Sequence, residues 1–350
     1  YVKDLSKEID RYKTIAHYVQ KKDKTRNERK KDYFEGRKVY ELTEEERGAC
    51  ITKQEGNACR HRLEKRWYRR LVVLNVLIII AVIAMLVSNF AETKNWAELA
   101  KTQMSEEFSE DYVEDKTQYR YDAFEDMPLE VQLILSGIVI IVILIPTLYY
   151  MYAQYRSMGL RITEKNFPEV YALIEEYAHR LGIKVPKAYV VQQNGILNAF
   201  SAYLPRRQWI CIHSELFEVA YREYKDKDAL AFIIAHEMAH IYYKHATLGY
   251  YLSIMFSQMI PILGTTASRT REYSCDRLAQ RLTGADGLDA MLVFVVDRHL
   301  YKMVDKEDYI EEMRNQRGFF LWIFNLLADH PVMCKRFVAL AEGRGSGKLY

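Results

Sequence analysis

The stretch ALAFIIAHEMAHIYYKH, residues 229–245, joins an apolar run to two histidines four positions apart, with a glutamate directly after the first. Residues i and i+4 project from the same face of an α-helix, about one turn apart. His236 and His240 can therefore bind one metal ion from a single helix, and imidazole nitrogen is a common ligand of Zn²⁺. Glu237 stands beside the first ligand, where its carboxylate can take a proton from a metal-bound water. The apolar residues before His236 predict that this helix is buried in a domain core.

A third ligand is needed, because a chain with nine histidines can contain H-E-x-x-H by chance. A histidine at the third-ligand spacing of metzincins would fall at Ala246, so that class is excluded. Glu272, in the predicted helix at 268–282, can complete the zinc shell. Asp276 lies one turn further on the same face, where it can accept a hydrogen bond from the second ring nitrogen of a ligating histidine. The alternative is a solvated charged face in which these carboxylates pair with neighbouring arginines.

Two uncharged segments, residues 71–91 and 131–155, are each long enough as a helix to cross a hydrocarbon core of about 30 Å. Runs of this length are rare in soluble domains, although a pair of buried core helices is the alternative. The formal net charge is only +3, but residues 1–70 carry 21 Lys/Arg against 13 Asp/Glu, and residues 89–130 carry 4 against 12. Because basic flanks stay in the cytoplasm, we expect both ends of the chain to be cytoplasmic.

These patterns predict five regions. They are a charged cytoplasmic N-terminal arm at 1–70, a transmembrane helix at 71–91, an acidic external loop at 92–130, a second transmembrane helix at 131–155, and a zinc metallopeptidase domain at 156–345. Short strands are predicted near 187–191 and 208–213, among helices, so the predicted fold class is α+β, mainly helical, with one small sheet. The uncharged stretch at 248–264 is expected to pack on the domain or lie at the membrane surface, with a re-entrant segment as the alternative.

Cysteine usage fits a reducing compartment, because the five cysteines are odd in number and widely spaced. Cys50, Cys59 and His61 could form a second metal site. Their irregular spacing favours free thiols instead.

Residues 159–343 resemble the integral-membrane zinc metallopeptidases that include the HtpX heat-shock protease and the CAAX prenyl protease. The likeness rests on LNAFSAY, AHEMAHIYYKH, SRTREYSCDRLA and DHPVMCKR, which occur in the order that the family has. It implies a gluzincin fold with one Zn²⁺ per chain, held by His236, His240 and Glu272, and Glu237 as the general base. The interval between His240 and Glu272 holds one uncharged stretch, where HtpX-like relatives have two membrane spans.

The same resemblance implies three further site residues. Asn198 would line the substrate cleft, and His330 and Arg336 would face the active site as catalytic residues that stabilise an oxyanion or hold the substrate backbone. Without the resemblance, each has a simpler interpretation: a turn residue, a helix cap and a surface cation, respectively. An extended substrate is expected to pair with an edge strand near 208–213, which would place its scissile carbonyl over the metal.

The predicted function is that of a zinc-dependent endopeptidase anchored in the cell membrane, with a role in the quality control of membrane proteins. Its expected partners are protein or peptide substrates, chiefly membrane proteins, and the lipid bilayer; nucleic acid is not expected. One alternative is a processing protease specialised for a single partner. Another is an inactive, zinc-stabilised membrane scaffold, against which Glu237 argues, because a structural zinc has no use for a carboxylate beside an open position.

Overall fold

The computed structural model describes residues 33–34, 36–107, 126–192, 197–204, 207–222 and 224–350. Two parts of the predicted organisation therefore lie outside the described residues. They are the first part of the charged arm, residues 1–32, and the middle of the predicted acidic external loop, residues 108–125.

Helices dominate the described part of the chain. They are α1 Lys53–Cys59, α2 Glu64–Ser88, α3 Phe90–Glu107, α4 Leu129–Met158, α5 Pro168–Leu181, α6 Ser214–Tyr221, α7 Lys227–Tyr242, α8 Leu248–Ile254, α9 Leu263–Thr283, α10 Leu288–Val296, α11 Lys306–Asn315, α12 Phe319–Leu327 and α13 Met333–Glu342. Short 3₁₀ turns occupy Ser257–Met259 and Tyr301–Met303. The strands are β1 Leu160–Arg161, β2 Lys187–Val191, β3 Ala199–Leu204 and β4 Arg207–His213. The predicted α+β class, mainly helical with one small sheet, is confirmed.

The four strands form one mixed sheet in the order β1-β2-β4-β3. β4 runs parallel to β2 and antiparallel to β3, with Phe200 opposite Cys211. The expectation of an edge strand near 208–213 is therefore wrong, because β4 is paired on both sides. The segment AFSAYL at 199–204 forms β3, which pairs with β4 and is therefore the outer strand on that side of the sheet. Within the described residues, β3 has a partner on one side only.

The helix that carries H-E-x-x-H, α7, crosses the centre of the domain. Residues 229–239 are all buried, as the apolar run predicts. α7 packs against α9, and it also contacts α5, α6 and β3. Its N-terminus is capped by Asp226, whose side chain accepts a hydrogen bond of 3.0 Å from the Ala229 N–H. Because packing surrounds α7 and the cap fixes its start, the side chains of its C-terminal half are held rigidly.

The segment before α2 is part of the same domain. Phe34, Val39, Ile51 and Cys59 are buried in the main hydrophobic core together with residues of α5, α7 and α9. The predicted boundary at residue 70 therefore separates stretches that pack together in the fold. Residues 33–34 and 36–63 add to the core of the region predicted at 156–345.

Two helices stand out by their exposed apolar surface. The most apolar 18-residue windows of α2 and α4 have mean hydropathies of 3.1 and 2.7, and only 11% and 6% of those windows are buried. Core helices of a soluble domain would be largely buried, so that alternative does not describe these two. Both are long and apolar enough to span a membrane, which fits a membrane location.

The stretch at 248–264 packs against α2. α8 and the turn Ser257–Met259 both contact this helix. The buried Asn75 of α2 accepts a hydrogen bond of 2.9 Å from the backbone N–H of Phe256. Because a buried amide needs a hydrogen-bond partner, this bond holds Phe256 beside Asn75 of α2.

Candidate metal centre

Three side chains from α7 and α9 converge on one point. The Nε2 atoms of His236 and His240 are 3.3 Å apart. Glu272 of α9 places Oε2 3.4 Å from His236 Nε2 and Oε1 3.4 Å from His240 Nε2. Because α7 packs closely on α9, the helix face that carries His236 and His240 lies against the face that carries Glu272.

The donor atoms fit a zinc ion. Ligands placed tetrahedrally around Zn²⁺ at about 2.0–2.1 Å are separated from one another by about 3.3–3.4 Å. The two imidazole nitrogens are 3.3 Å apart, and each lies 3.4 Å from one oxygen of the Glu272 carboxylate, Oε2 for His236 and Oε1 for His240. Two imidazole nitrogens and one carboxylate are also the donor set of hydrolytic zinc sites, which leave a fourth position for water or substrate. The residues that the sequence predicts as zinc ligands are therefore brought together, with suitable spacing.

Asp276 lies behind His236. Its Oδ1 is 2.9 Å from the Nδ1 of His236, so this nitrogen donates to the carboxylate and Nε2 is the one that faces the metal position. Arg336 of α13 binds the same carboxylate through Nε and Nη2, at 2.7 Å each. The 3.4 Å approach of Arg336 Nη2 to His236 Nδ1 is a contact between two donors and not a hydrogen bond.

Arg336, predicted as a catalytic residue that faces the active site, lies behind His236 and binds Asp276. Its side chain is only 11% exposed, and its guanidinium is bidentate with Asp276 on the Nδ1 side of His236. Its nearest approach to a ligand carboxylate is 3.8 Å, from Nη2 to Glu272 Oε2. A guanidinium bound in this way orients Asp276 through two of its five N–H groups. This geometry supports a positioning role for Arg336, and its contact with substrate stays a prediction.

The charges of the cluster favour a cation. Burial alone would lower the pKa of His236, but hydrogen bonds to Asp276 and Glu272 raise it to about 10. Burial opposes ionisation of both carboxyls, yet the histidines hold the pKa of Glu272 well below its ordinary value, and Arg336 and His236 lower that of Asp276. Two buried carboxylates are thus balanced by Arg336 and one proton. A metal cation can take the place of that proton, because a ligating histidine binds metal in its neutral form.

Glu237 is buried one residue after His236. Burial, together with the negative charge of Glu237, raises the pKa of the β4 thiol Cys211 to about 12. A carboxylate next to the metal ligands, but outside their cluster, suits the predicted role of proton acceptor.

The other two predicted residues lie on exposed parts of the site. His330 is in the loop before α13, its side chain is 67% exposed, and its Nε2 is 3.7 Å from Glu272 Oε2. It is not a helix cap, because the N-cap of α13 is Val332. Asn198 is exposed immediately before β3, and its carbonyl accepts a hydrogen bond of 3.0 Å from the His213 N–H. His330 therefore adjoins the metal cluster, and Asn198 lies at the start of the outer strand.

Sequence reasoning missed a second group of side chains around His240. The His245 ring lies beside His240, with 3.2 Å between their Nδ1 atoms. Glu64, on the far side of His245, carried no signal in its own sequence context. Cys50, Cys59 and His61 form no metal cluster among the residues described, whose five cysteines are free thiols.

Comparison with known proteins supports the chemistry of this centre. Residues 164–260 match the family model of peptidase family M48, and the match includes His236, Glu237 and His240. It ends before Glu272, so the match does not include the expected third ligand. No solved structure matches the chain. The M48 match supports a metallopeptidase, a hydrolase of peptide bonds, from a family of zinc enzymes.

Proposed function

We propose, from the match to peptidase family M48 and the geometry of the cluster, that this chain is a membrane-anchored zinc endopeptidase. The observation that carries the proposal is the convergence of His236, His240 and Glu272, whose imidazole nitrogens are 3.3 Å apart and each 3.4 Å from one oxygen of the carboxylate. When bound there, zinc supplies a Lewis acid that polarises a peptide carbonyl and lowers the pKa of water. The three residues would hold it, with Asp276 orienting the first histidine.

The remaining chemistry falls to this chain's own groups. Glu237 accepts the proton of the attacking water and returns it to the leaving amine as the peptide bond breaks. His330 is exposed at the edge of the cluster, so its Nε2 can donate to the carbonyl oxygen as negative charge develops on it. Arg336 acts through Asp276, which it binds with Nε and Nη2 and so holds against His236.

An extended peptide would bind along β3. This strand is open on its outer side among the described residues, and it lies against α7. Backbone hydrogen bonds to such an edge orient a substrate without regard to its side chains. Asn198 would contact the peptide where the strand begins. Phe200 of β3 packs on Tyr155 near the end of α4, with ring centroids 5.1 Å apart, so the peptide path runs close to the second apolar helix.

This position favours substrates that emerge from a bilayer. α2 and α4 would cross the membrane, with the metal centre on the cytoplasmic side that the basic flanks indicate. Cytoplasmic segments of membrane proteins would then reach β3 directly. An HtpX-like role in protein quality control follows from the resemblance of the sequence motifs and from this location.

The test compares the detergent-purified full chain with Glu237→Gln, measuring both casein cleavage and bound zinc. Glu175→Gln is the matched control, because it removes the same charge from an exposed position on α5. We expect one zinc in all three proteins and loss of cleavage in Glu237→Gln alone. Failure of the wild type to bind zinc would refute the proposal. Zinc binding without cleavage of casein or of membrane-protein segments would favour the scaffold, and cleavage of a single partner would favour a processing protease.

A further inference from the structure

We propose that His245 and Glu64 are positioning residues for the ligand His240, and that they connect the start of α2 to the metal centre. The inference rests on the proposed zinc site. It concerns a chain of contacts that begins at His240 on the side of the ring that faces away from the metal position.

The end of α7 places His245 against His240. Lys244 adopts a left-handed φ of 63°, and its N–H donates to the Ile241 carbonyl at 3.0 Å. The His245 N–H donates to the carbonyl of His240, also at 3.0 Å. This pair of bonds is a Schellman motif, which reverses the chain at a helix end. The reversal folds the His245 ring back, so that its Nδ1 is 3.2 Å from His240 Nδ1.

Glu64 completes the chain of contacts from the other side. Its Oε1 is 3.1 Å from His245 Nε2, and its side chain is 5% exposed. Ser274 donates its hydroxyl to Glu64 Oε2, and Arg60 forms an ion pair with Oε1. Glu64 is the first residue of α2, the apolar helix proposed as the first membrane span. A buried carboxylate held by three partners is a rigid acceptor.

Only one arrangement of protons satisfies these contacts with neutral rings. A carboxylate can only accept, so Nε2 of His245 donates to Glu64 and its Nδ1 is left as an acceptor. That acceptor receives the Nδ1–H of His240. The proton of His240 is then fixed on Nδ1, and the lone pair of Nε2 points to His236 and Glu272. Outer partners that fix the tautomer of a ligating histidine strengthen metal binding.

The two zinc histidines are thus supported from different places. His236 is oriented by Asp276, which lies on α9 within the domain core. His240 depends on a carboxylate at the start of α2. A displacement of α2 would move Glu64, release His245 and loosen one ligand without disturbing the other.

Two substitutions at position 245 separate positioning from packing. His245→Asn keeps an oxygen acceptor near the position of Nδ1, whereas His245→Leu fills the buried space without an acceptor. Zinc affinity is measured on the full chain by competition with a chromophoric chelator, and Co²⁺ loading reports ligand geometry through its visible absorption bands. We expect His245→Leu to bind zinc about 10–100-fold more weakly with shifted Co²⁺ bands, and His245→Asn to recover most of both properties. A purely structural role predicts that Leu equals or exceeds Asn.

The connection to α2 is tested by Glu64→Gln, with Glu98→Gln as the control for loss of an exposed charge on α3. We expect weaker zinc binding in the first variant only. Cys275→Ala tests the competing arrangement, because Cys275 Sγ is 3.7 Å from His245 Nδ1 and could join His240 and His245 around a separate metal ion.

The outcomes distinguish this inference from the proposed function. If the wild type binds no zinc, both the proposed function and this inference are refuted. A wild type that binds zinc, together with unchanged affinity and Co²⁺ bands in His245→Leu, refutes the positioning role alone. A loss in Cys275→Ala as large as that in His245→Leu overturns it in favour of a second metal site.

Discussion

Replacing Asp276 by asparagine tests how the metal centre is built. The carboxylate is buried, accepts from His236 Nδ1 at 2.9 Å and binds Arg336 through two bonds of 2.7 Å. The amide retains one acceptor but loses the charge, so His236 is held less firmly. We expect the zinc affinity of Asp276→Asn to fall about 10–100-fold, which corresponds to about 1.4–2.7 kcal/mol.

The same change affects stability through Arg336. Without the Asp276 carboxylate, the Arg336 guanidinium is still only 11% exposed. The Glu272 carboxylate is further away, at 3.8 Å. Stranding one member of a buried pair costs about 3–5 kcal/mol in the free energy of unfolding. The double variant Asp276→Asn with Arg336→Met removes the stranded cation. It should regain most of this stability without regaining zinc affinity.

Zinc affinity is measured by chelator competition, and the free energy of unfolding of the zinc-free domain by denaturant titration. Folded Asp276→Asn protein that binds zinc as tightly as the wild type would show that Asp276 does not position His236. Recovery of zinc affinity in the double variant would show that the defect came from the stranded cation.

Three further perturbations probe the frame around the site. Glu55→Ala should lower the free energy of unfolding by about 3–5 kcal/mol, because it strands Arg281, which is 1% exposed and 2.6 Å from the Glu55 carboxylate; an unchanged denaturation midpoint would contradict this. Burial lowers the pKa of His61 from 6.5 to about 4, so the unfolded chain binds more protons between these values. Stability should therefore fall by ~3 kcal/mol as the pH drops through that window, and His61→Phe should lose less over the same pH titration. Gly264→Ala should lower the free energy of unfolding, measured by thermal unfolding, by about 1–3 kcal/mol, because an added Cβ would clash with the backbone oxygen of Gln258. Gly249→Ala, with open space around it, should not.

The convergence of His236 and His240 was predictable because the helical repeat is a local property. His236 and His240 lie on one face of α7 whatever the rest of the chain does, and the apolar run before them anticipated the burial of the helix. Glu272 required a second helix to pack against the first. Its one-turn relation to Asp276 gave the only local sign that both would face the cluster.

The contacts that sequence reasoning missed join distant positions. Glu64 and His245 are separated by 181 residues, and Glu64 and Ser274 by 210. A buried carboxylate in a basic stretch looks like an exposed charge until tertiary packing is known. The outer strand was missed for a related reason: AFSAYL is short and weakly alternating, so only its pairing with β4 identifies it as a strand.

Because Glu64 is the first residue of α2, its contact with His245 sets the distance between the proposed metal centre and the apolar part of α2. Glu64 contacts the ligand network, and the apolar run begins seven residues later at Leu71, a rise of about 10 Å along the helix. If α2 spans a bilayer as proposed, the catalytic position lies about that far from the hydrocarbon boundary. An extended chain advances about 3.3 Å per residue, so a membrane protein could be cut only a few residues beyond the end of its own span. The enzyme would then select peptide bonds by their distance from the membrane more than by the side chains that flank them.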